Sequence, residues 1–451
     1  MSGCTSINHL HRIGFVSMRF HGTDGVSLET EKWAAVLERM GHVLFYFAGE
    51  SDRPPDRTRL VLEASFHHPK IEAIAAIAFD DAWWYRNMNK LRPADIGTAS
   101  PAAAYHARPP ATSRQVQTLK DQLKKQIYEF VRDFRVELLI VENALSIPLN
   151  LPLGLALTEF IAETGFPTIA HHHDFFWERK RFLVNCVWDY LGTAFPPSLP
   201  SIRHVVINSS GAHQLSLRRG VSSMLIPNVM DFDSPPPPDD DYTRGLHFDL
   251  GLSPGERLIL QPTRVVQRKG IEHAIELVKE LGLNARLVIS HASGDEGDAY
   301  ERRVRRYAAL LDVPTAFVSD VIAERRGLTA DGRRIYALGD VYRQADLVTY
   351  PSTIEGFGNA FLEAIYYRRP IVVNNYSIFA TDIRPKGFRV IEFDSFITEE
   401  TVARARQVIL DPGLAPAMAD HNYRLARQHY SYSMLERRLR TLLADLFGES
   451  D

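Results

Sequence analysis

Two carboxylates, Glu355 and Glu363, stand eight residues apart around a glycine-bearing loop and are the strongest candidates for chemistry in this chain. A short apolar run ends at Tyr350, Gly356 and Gly358 follow, and a helical pattern begins directly afterwards. Glycines let backbone amides approach a ligand closely, and amides at a helix start form an anion site that the helix dipole strengthens. This spacing suits a ligand with sugar hydroxyls at one end, a ribose at the other and phosphates between them.

A pair of cations, Arg264 and Lys269, lies in a second turn, between a predicted strand that ends at Gln261 and a helix that begins at Ile271. Ligands of open α/β sheets bind beyond the carboxyl ends of the strands. A diphosphate gains charge as it leaves, so fixed cations at that point lower the barrier selectively. The two segments together predict a site for an activated sugar that carries a diphosphate.

Strand, loop, helix and strand alternate along most of the chain, which predicts parallel sheets and an α/β fold of two doubly wound, Rossmann-like domains facing across a cleft. The predicted strands cover residues 13–17, 42–47, 136–141, 168–171, 205–208, 258–261, 285–290, 315–318, 347–350 and 371–373. The predicted helices cover residues 27–40, 115–134, 151–164, 271–281, 298–311, 360–367 and 431–447.

Composition narrows the class of protein. Of 451 residues, 45% are hydrophobic and 24% are charged, and the net charge of −3 does not favour a general nucleic-acid binder. Two cysteines, Cys4 and Cys186, are too few for a disulfide framework, and the most apolar stretch, residues 138–162, is interrupted by carboxylates and prolines. We therefore expect a cytoplasmic protein with neither a signal peptide nor an integral membrane segment.

Several common motifs are missing from the sequence. It contains no P-loop, no Gly-x-Gly-x-x-Gly after the first predicted strand and no Gly-x-Ser-x-Gly elbow. The run His171-His172-His173 suggests a metal, but adjacent residues of a strand point to opposite faces, so the three side chains are not expected to converge on one ion. We predict no metal site and no cofactor besides a nucleotide-diphosphate sugar as donor substrate.

A proline- and aspartate-rich run separates the two halves. It reads Ser234-Pro-Pro-Pro-Pro-Asp-Asp-Asp241 and follows the turn Ile226-Pro-Asn228. Four prolines and three aspartates do not form a helix or a central strand, so an exposed, stiff connector is expected.

Together these features resemble the retaining family 4 glycosyltransferases of the GT-B type. The Glu355-x7-Glu363 block and the five-residue offset from Arg264 to Lys269 carry the likeness. Weaker matches are Asn228 with Asp231, Gly22 with Gly25, and His173 with Asp174. The family usually has adjacent glycines in the first loop, whereas Thr23 and Asp24 separate them here.

The resemblance implies a role for each matching residue. Glu355 would bind hydroxyls of the donor sugar, Glu363 the ribose, and Arg264 with Lys269 the diphosphate. His173 would lie near the reacting sugar. The expected substrate-binding residues are Gly22, Asp24, Gly25, Asp174, Gly356, Phe357, Gly358, Asn359, Ala360 and Glu363, and the expected catalytic residues are His173, Arg264, Lys269 and Glu355.

The resemblance also implies the organisation of the chain and the course of the reaction. Residues 1–230 would form the acceptor-binding domain, 231–254 a linker, 255–430 the nucleotide-sugar-binding domain, and 431–451 a helix that crosses back to the first domain. The leaving phosphate oxygen would take the acceptor proton on the same face of the sugar, so no protein nucleophile is required and the two-carboxylate scheme of glycosidases does not apply.

The acceptor is the open question. The stretch 350–375 also resembles the branch of the family that builds glycosylated glycerates, which implies a mannosyl or glucosyl donor such as GDP-mannose and a small anionic acceptor. A basic cluster of Arg179, Lys180 and Arg181 near His173 suits such an acceptor, and a solvated basic loop is an equally good interpretation. A sugar-nucleotide epimerase and a non-catalytic nucleotide-sugar-binding protein on the same fold remain alternatives.

Overall fold

A computed structural model describes residues 10–22, 24–79, 108–294 and 297–448 of the chain. Cys4 and Thr23 lie outside these ranges. Contacts divide the chain into two compact units. One unit runs as far as Pro227 and includes the chain from Leu435 onward, and the other runs from Asn228 to Met434.

The first unit is built on a parallel sheet of seven described strands. The strands are β1 Arg12–Val16, β2 Val43–Ala48, β3 Thr58–Leu60, β4 Leu138–Glu142, β5 Thr168–His172, β6 Ile202–Val206 and β7 Ser223–Leu225. The helices are α1 Gly25–Arg39, α2 Pro69–Phe79, α3 Pro110–Phe134, α4 Leu151–Thr164, α5 Trp188–Ala194 and α6 Ser209–Arg219. A two-residue strand, Arg19–Phe20, pairs with Glu50–Ser51 beside the main sheet.

The second unit has its own parallel sheet, of six described strands. The strands are β8 Arg257–Gln261, β9 Ala285–Ile289, β10 Thr315–Phe317, β11 Leu347–Tyr350, β12 Ile371–Asn374 and β13 Ile391–Phe393. The helices are α7 Asp241–Arg244, α8 Leu246–Asp249, α9 Ile271–Leu281, α10 Ala299–Leu310, α11 Leu338–Gln344, α12 Asn359–Tyr366, α13 Glu399–Leu410, α14 Leu414–Tyr430 and α15 Tyr432–Phe447. The residues of α15 from Leu435 onward belong to the first unit. A small sheet of Ile322–Ala323, Gly327–Leu328 and Arg334–Ala337 lies to one side.

Strand order shows where each unit is suited to bind a ligand. The first sheet runs β3-β2-β1-β4-β5-β6-β7 and the second runs β10-β9-β8-β11-β12-β13. In both, the order reverses beside the first strand, between β1 and β4 and between β8 and β11. Ligands of doubly wound sheets bind beyond the carboxyl ends of the strands at this reversal. The residues that follow Glu142 and those that follow Gln261 and Tyr350 therefore occupy the two favoured positions.

Local sequence explains why the elements form where they do. Helix α9 places Ile271, Ile275 and Val278 on one buried face, and Gly282 ends it with a φ of 57°. Strand β4 is buried along its whole length because helices cover both faces of its sheet, which explains its continuous apolar run. The predicted strands and helices are present within a few residues, and the α/β fold class is confirmed. The sequence interpretation did not include helices α2, α5, α6, α7, α8, α11, α13 and α14 or strands β3, β7 and β13.

The proline-aspartate run is exposed, as expected, but it is held in place rather than free. The carbonyls of Pro237 and Pro238 accept hydrogen bonds from Arg343 at 3.0 and 2.9 Å. Asp240 caps helix α7 through the amide of Thr243 at 2.8 Å and pairs with Arg326 at 2.6 Å. Within residues 231–254, the two short helices α7 and α8 therefore take the place of a bare connector.

Each unit has a dense apolar interior. The first is centred on side chains of β1, β2, β4, α3 and α4, and the second on side chains of β8, β9, α9 and α13. Cys186 is buried and carries a free thiol. In the described ranges, none of the helices is long and apolar enough to cross a bilayer.

Candidate functional site

In the second unit, a buried ion pair joins the two segments that the sequence singled out. The Lys269 ammonium donates a hydrogen bond to the Glu355 carboxylate, and Arg268 lies 3.6 Å from the other carboxylate oxygen. The side chains of Lys269 and Glu355 are only 11% and 10% exposed. The structure thus brings together, at the reversal between β8 and β11, two groups that the resemblance assigns to the diphosphate and to the sugar.

Burial and the charge of the partner shift the pKa of Lys269, and likewise that of Glu355, in opposite directions. Burial lowers the pKa of Lys269, the attraction of Glu355 opposes that shift, and Arg268 and Arg264 reinforce it. Burial alone would raise the pKa of Glu355, but Lys269 and Arg268 bring it below its ordinary value. Glu355 is therefore a carboxylate at neutral pH, so it can accept hydrogen bonds but cannot donate a proton.

Backbone geometry holds the cationic turn against the loop that follows β11. Lys269 is the last residue of a short 3-10 turn and Gly270 follows with a φ of 57°. A Cβ at Gly270 would lie 2.7 Å from the carbonyl oxygen of Pro351. The amide of Thr353 donates to the carbonyl of Arg268 at 2.9 Å. The two segments thus touch through main chain, which keeps the ion pair in register.

The glycine loop leads directly into helix α12. Gly358 precedes the helix with a φ of 129°, a conformation that L side chains rarely adopt. Phe357 is 2% exposed, and its carbonyl accepts a hydrogen bond from the Tyr376 hydroxyl at 2.8 Å. Asn228 donates to the side chain of Asn359 at 2.7 Å, which joins the predicted Ile226-Pro-Asn228 turn to the first residue of α12.

Glu363 lies one turn into α12 and receives a hydrogen bond from a buried tyrosine. The Tyr342 hydroxyl donates to its carboxylate at 2.8 Å, and the Tyr342 ring stacks on Tyr367 at 5.2 Å. Burial and the Glu363 charge raise the pKa of Tyr342 well above its ordinary value, so the phenol remains a donor. Tyr342 fixes one carboxylate oxygen of Glu363. The sequence interpretation missed this residue because nothing near it in sequence marks it.

His291 is a further polar residue beside the cations. It lies two residues beyond the end of β9, and its Nδ1 is 2.8 Å from the Ser290 hydroxyl. Burial, together with the charges of Lys269 and Arg264, lowers the pKa of His291 to about 4. The His291 ring is therefore neutral at pH 7, where it can both donate and accept a hydrogen bond. Its position after a strand of the sheet is the signal that could have identified it.

In the first unit, two of the three consecutive histidines converge on a buried carboxylate. Nδ1 of His171 and Nε2 of His173 each lie 3.0 Å from Oε2 of Glu142. The three ligand atoms fall within 4.8 Å of one another, a spacing that metal sites also use. The three histidines do not all converge, as expected, but that expectation overlooked that His171 and His173 share a face because they are two residues apart. His172 points to the other face, where Nε2 lies 2.9 Å from His204 Nδ1.

Burial and neighbouring charges shift the pKa values of Glu142, His171 and His173 in different directions. Burial opposes ionisation of Glu142, but its two histidine neighbours lower its pKa to about 2. Burial lowers the pKa of His171, whereas the hydrogen bond and charge of Glu142 outweigh burial and raise the pKa of His173. Of the two histidines bonded to Glu142, His173 thus binds a proton more readily.

Asn143 forms hydrogen bonds through its side chain with the turn that follows β5, at His173 and Asp174. Its φ is 56°, and its side-chain oxygen accepts from the amide of His173 at 2.8 Å. Its amide nitrogen donates to Asp174 at 3.2 Å, and Asp174 is also paired with Arg179. Backbone strain of this kind gathers at functional sites. Glu142 and Asn143 were missed, although a polar pair directly after an apolar strand is a usable signal.

The predicted first loop, which contains Gly22, Asp24 and Gly25, leads into the start of helix α1. Asp24 caps α1 by accepting from the amides of Val26 and Ser27 at 3.1 and 3.2 Å, and it pairs with Arg19 at 3.4 Å. Gly25 is the first residue of the helix. Gly22 has a φ of 74°, and its amide donates to the Asp52 carboxylate at 3.1 Å. The proposed ligand contacts of Gly22, Asp24 and Gly25 stay predictions.

In the basic cluster, Arg179 pairs with Asp174 and Arg181 lies 4.6 Å from the Phe182 ring. Burial lowers the pKa of Arg181, and the Arg179 charge adds to the shift. The described geometry thus ties Arg179 to the turn that holds His173. Any contact of the cluster with an acceptor stays a prediction.

Comparison with known proteins relates the sequence and the fold of this chain to glycosyltransferases. Residues 227–441 match the model of a family described as family 4 glycosyltransferases in conflict systems. The mannosylglucosylglycerate synthase of Petrotoga mobilis is 30% identical over 85% of this chain and 86% of that protein. The enzyme of the same name from Thermotoga maritima is 29% identical over 94% of this chain and 98% of that protein. A solved glycosyltransferase from Rickettsia africae has the same fold, with a TM-score of 0.64, 13% identity and coverage of 98% of this chain and 100% of that one.

Proposed function

Because this chain belongs to the glycosyltransferase family of the mannosylglucosylglycerate synthases, we propose that it moves a hexosyl group from a nucleotide-diphosphate sugar to a small glycerate-type acceptor. Mannosyl and glucosyl groups are favoured, because the names of the relatives contain both sugars. The reaction proceeds with retention of anomeric configuration. The acceptor is anionic, either a glycosylated glycerate or a phosphoglycerate.

One observation carries the proposal: the buried Lys269–Glu355 pair at the carboxyl edge of the second sheet, next to the start of helix α12. A cation, a carboxylate and the amides at a helix start are the three kinds of group that suit a sugar diphosphate. Lys269 and Arg264 hold the phosphates, and the amides of Gly356–Ala360 complete the anion site. Glu355 accepts hydrogen bonds from sugar hydroxyls, and Glu363 accepts them from the ribose.

The proposed step requires no protein nucleophile. The bond from the anomeric carbon to the diphosphate breaks, and the acceptor oxygen bonds to the same carbon on the same face. The acceptor proton passes to the departing phosphate oxygen. Lys269 and Arg264 stabilise the charge that develops on the diphosphate, which lowers the barrier without a metal or another cofactor.

The acceptor requires a cationic neighbour for its carboxylate or phosphate. Arg179, Lys180 and Arg181 lie six to eight residues after His173, and Arg181 has no carboxylate hydrogen-bonded to it among the described contacts. These residues are the proposed acceptor contacts. An anionic acceptor would gain from this positive charge, whereas a neutral analogue of the same size would not.

Donor binding is tested by a thermal-shift screen of GDP, UDP and ADP and of their mannose and glucose esters. One nucleotide diphosphate should stabilise the wild type, and Glu363→Ala should abolish that stabilisation. Full stabilisation of the variant would reject the ribose role. Each donor that binds is then incubated with glycerate, phosphoglycerate, glucosylglycerate and glycerol, and the anomeric proton of the product is followed by NMR.

The acceptor screen separates the alternatives. Transfer to an anionic acceptor with retention supports the proposal. Conversion of the donor alone would indicate an epimerase, and binding without turnover under any condition would indicate a non-catalytic protein. Equal use of glycerol and the anionic acceptors would remove the anionic specificity.

A further inference from the structure

We propose that Glu142 is a positioning residue for the glycosyl transfer, which acts by fixing the ring orientation and the proton position of His173. The inference rests on the proposed function and on the role that the family resemblance implies for His173, near the reacting sugar. Glu142 itself is fully buried, so it acts through the histidine rather than on a ligand.

The geometry fixes which nitrogen of His173 carries a proton. An ionised carboxylate only accepts hydrogen bonds, so a ring nitrogen 3.0 Å from Glu142 Oε2 must donate. Nε2 of His173 is therefore N–H, and the other ring nitrogen is left as the acceptor in the neutral ring. Without the carboxylate, the ring would be free to exchange its tautomers and to rotate.

A second histidine holds the carboxylate in place. Nδ1 of His171 donates to Glu142 from 3.0 Å, and the His171 ring stacks on Trp33 at a centroid distance of 4.2 Å. Nε2 of His171 is buried and lacks a hydrogen-bond partner in the described structure, which keeps that ring neutral. Glu142 thus receives one fixed donor from a packed residue and orients the second residue, His173.

The backbone of His173 is anchored independently of its ring. The side-chain oxygen of Asn143 accepts from the His173 amide at 2.8 Å. Two consecutive residues at the end of β4 therefore control the same histidine: Glu142 its ring and Asn143 its main chain. The other charged groups that act on the ring are Glu29 from helix α1 and Asp174 from the following turn.

The test compares Glu142→Gln with the wild type in the transfer assay. A glutamine carries no charge and has one acceptor oxygen, which both histidines would have to share, so the charge-assisted hydrogen bond that orients His173 is weakened. Loss of an outer partner of this kind typically costs about 10- to 100-fold in activity. We expect kcat to fall by that factor while KM for the donor changes less than about threefold, because binding of the diphosphate does not depend on the ring.

A double-mutant cycle separates positioning from general structural damage. If Glu142 acts only through His173, adding Glu142→Gln to His173→Ala should produce no further loss of kcat. Glu142→Asp keeps the charge and should recover part of the activity. His172→Gln is the matched control, since it alters a buried histidine of the same strand on the opposite face, and its kcat should stay near wild type.

The proton position is read directly from the folded wild-type enzyme by nitrogen-15 NMR of its histidines. We expect His173 to carry a proton on Nε2 and His171 to carry one on Nδ1. The opposite tautomer of His173, unchanged kcat in Glu142→Gln, or additive losses in the cycle would each overturn the inference. So would stoichiometric Zn²⁺ retained after dialysis and lost in Glu142→Gln, because a metal would then take the place of both protons. If the wild type transferred no sugar, the proposed function would fail, while the NMR result would still show whether Glu142 fixes the ring.

Discussion

Replacement of Lys269 by alanine tests the proposed donor site and the electrostatics of the second unit together. The side chain is 11% exposed and is hydrogen-bonded to a carboxylate that is 10% exposed. A charge-assisted contact to the departing diphosphate is worth about 1.5–3 kcal/mol, which corresponds to roughly a ten- to 150-fold loss of kcat. Breaking one side of a buried pair costs about 3–5 kcal/mol of stability, and the lower end is expected because Arg268 remains 3.6 Å from Glu355.

The two effects are measured separately. Single-turnover kinetics with saturating donor report the chemical step, and urea unfolding reports stability at the same pH. Lys279→Ala removes an exposed lysine from helix α9 and should change neither value. Unchanged turnover of Lys269→Ala at saturating donor would refute the assigned role, whatever happens to stability.

The same variant makes a prediction about acid stability. The pKa of Glu355 is lowered in the folded protein, so its ionisation stabilises the wild type above the unfolded pKa of about 4.3, and that contribution is lost as pH falls through the folded value. In Lys269→Ala the main cause of the lowered pKa is gone. The unfolding free energy of the variant should therefore fall less steeply than that of the wild type below about pH 4. A parallel decline in both proteins would contradict this electrostatic account.

Three further changes test separate contacts. Tyr342→Phe removes the 2.8 Å hydrogen bond to Glu363 and should weaken nucleotide binding about tenfold by calorimetry, with little change in kcat at saturation. Gly358→Ala forces an L side chain into a φ of 129°, with its Cβ 2.7 Å from the Tyr376 hydroxyl, and should cost about 1–3 kcal/mol in urea unfolding. His204 has its pKa lowered to about 4 by burial, so between pH 6.5 and 4 the unfolded chain binds a proton that the folded chain does not. Stability of the wild type should fall on acidification through that window, and His204→Asn should flatten the decline; an unchanged slope would count against the shift.

Much of the donor half was predictable from sequence because its signals are local. The Glu355-x7-Glu363 spacing, the glycines before α12 and the cations after β8 each follow a strand end, and parallel strands bring their carboxyl ends to one edge. The structure shows that Lys269 and Glu355 contact each other, which spacing could not reveal because 86 residues separate them. Tyr342 was missed for the same reason, whereas His291 was missed although its position just after strand β9 was a usable signal.

The histidine run shows where a correct local rule gives an incomplete answer. Alternation along a strand does send His172 away from its neighbours, as expected. It also leaves His171 and His173 on one face, and the carboxylate that they meet comes from the adjacent strand β4. The register of β4 against β5 places Glu142 beside His171. That register cannot be read from residues 171–173 alone.

The order of apolar runs, helical periods and turn residues was enough to determine two doubly wound α/β units, because these patterns reflect interactions within a few residues of each other. What only the tertiary structure decided is which charged groups share a buried environment: Lys269 with Glu355, Tyr342 with Glu363, and Glu142 with two histidines. Their protonation and orientation depend on burial and on neighbours from distant parts of the chain. The protonation states and orientations of these groups are therefore set only after the sheets have formed and water has been excluded from around them.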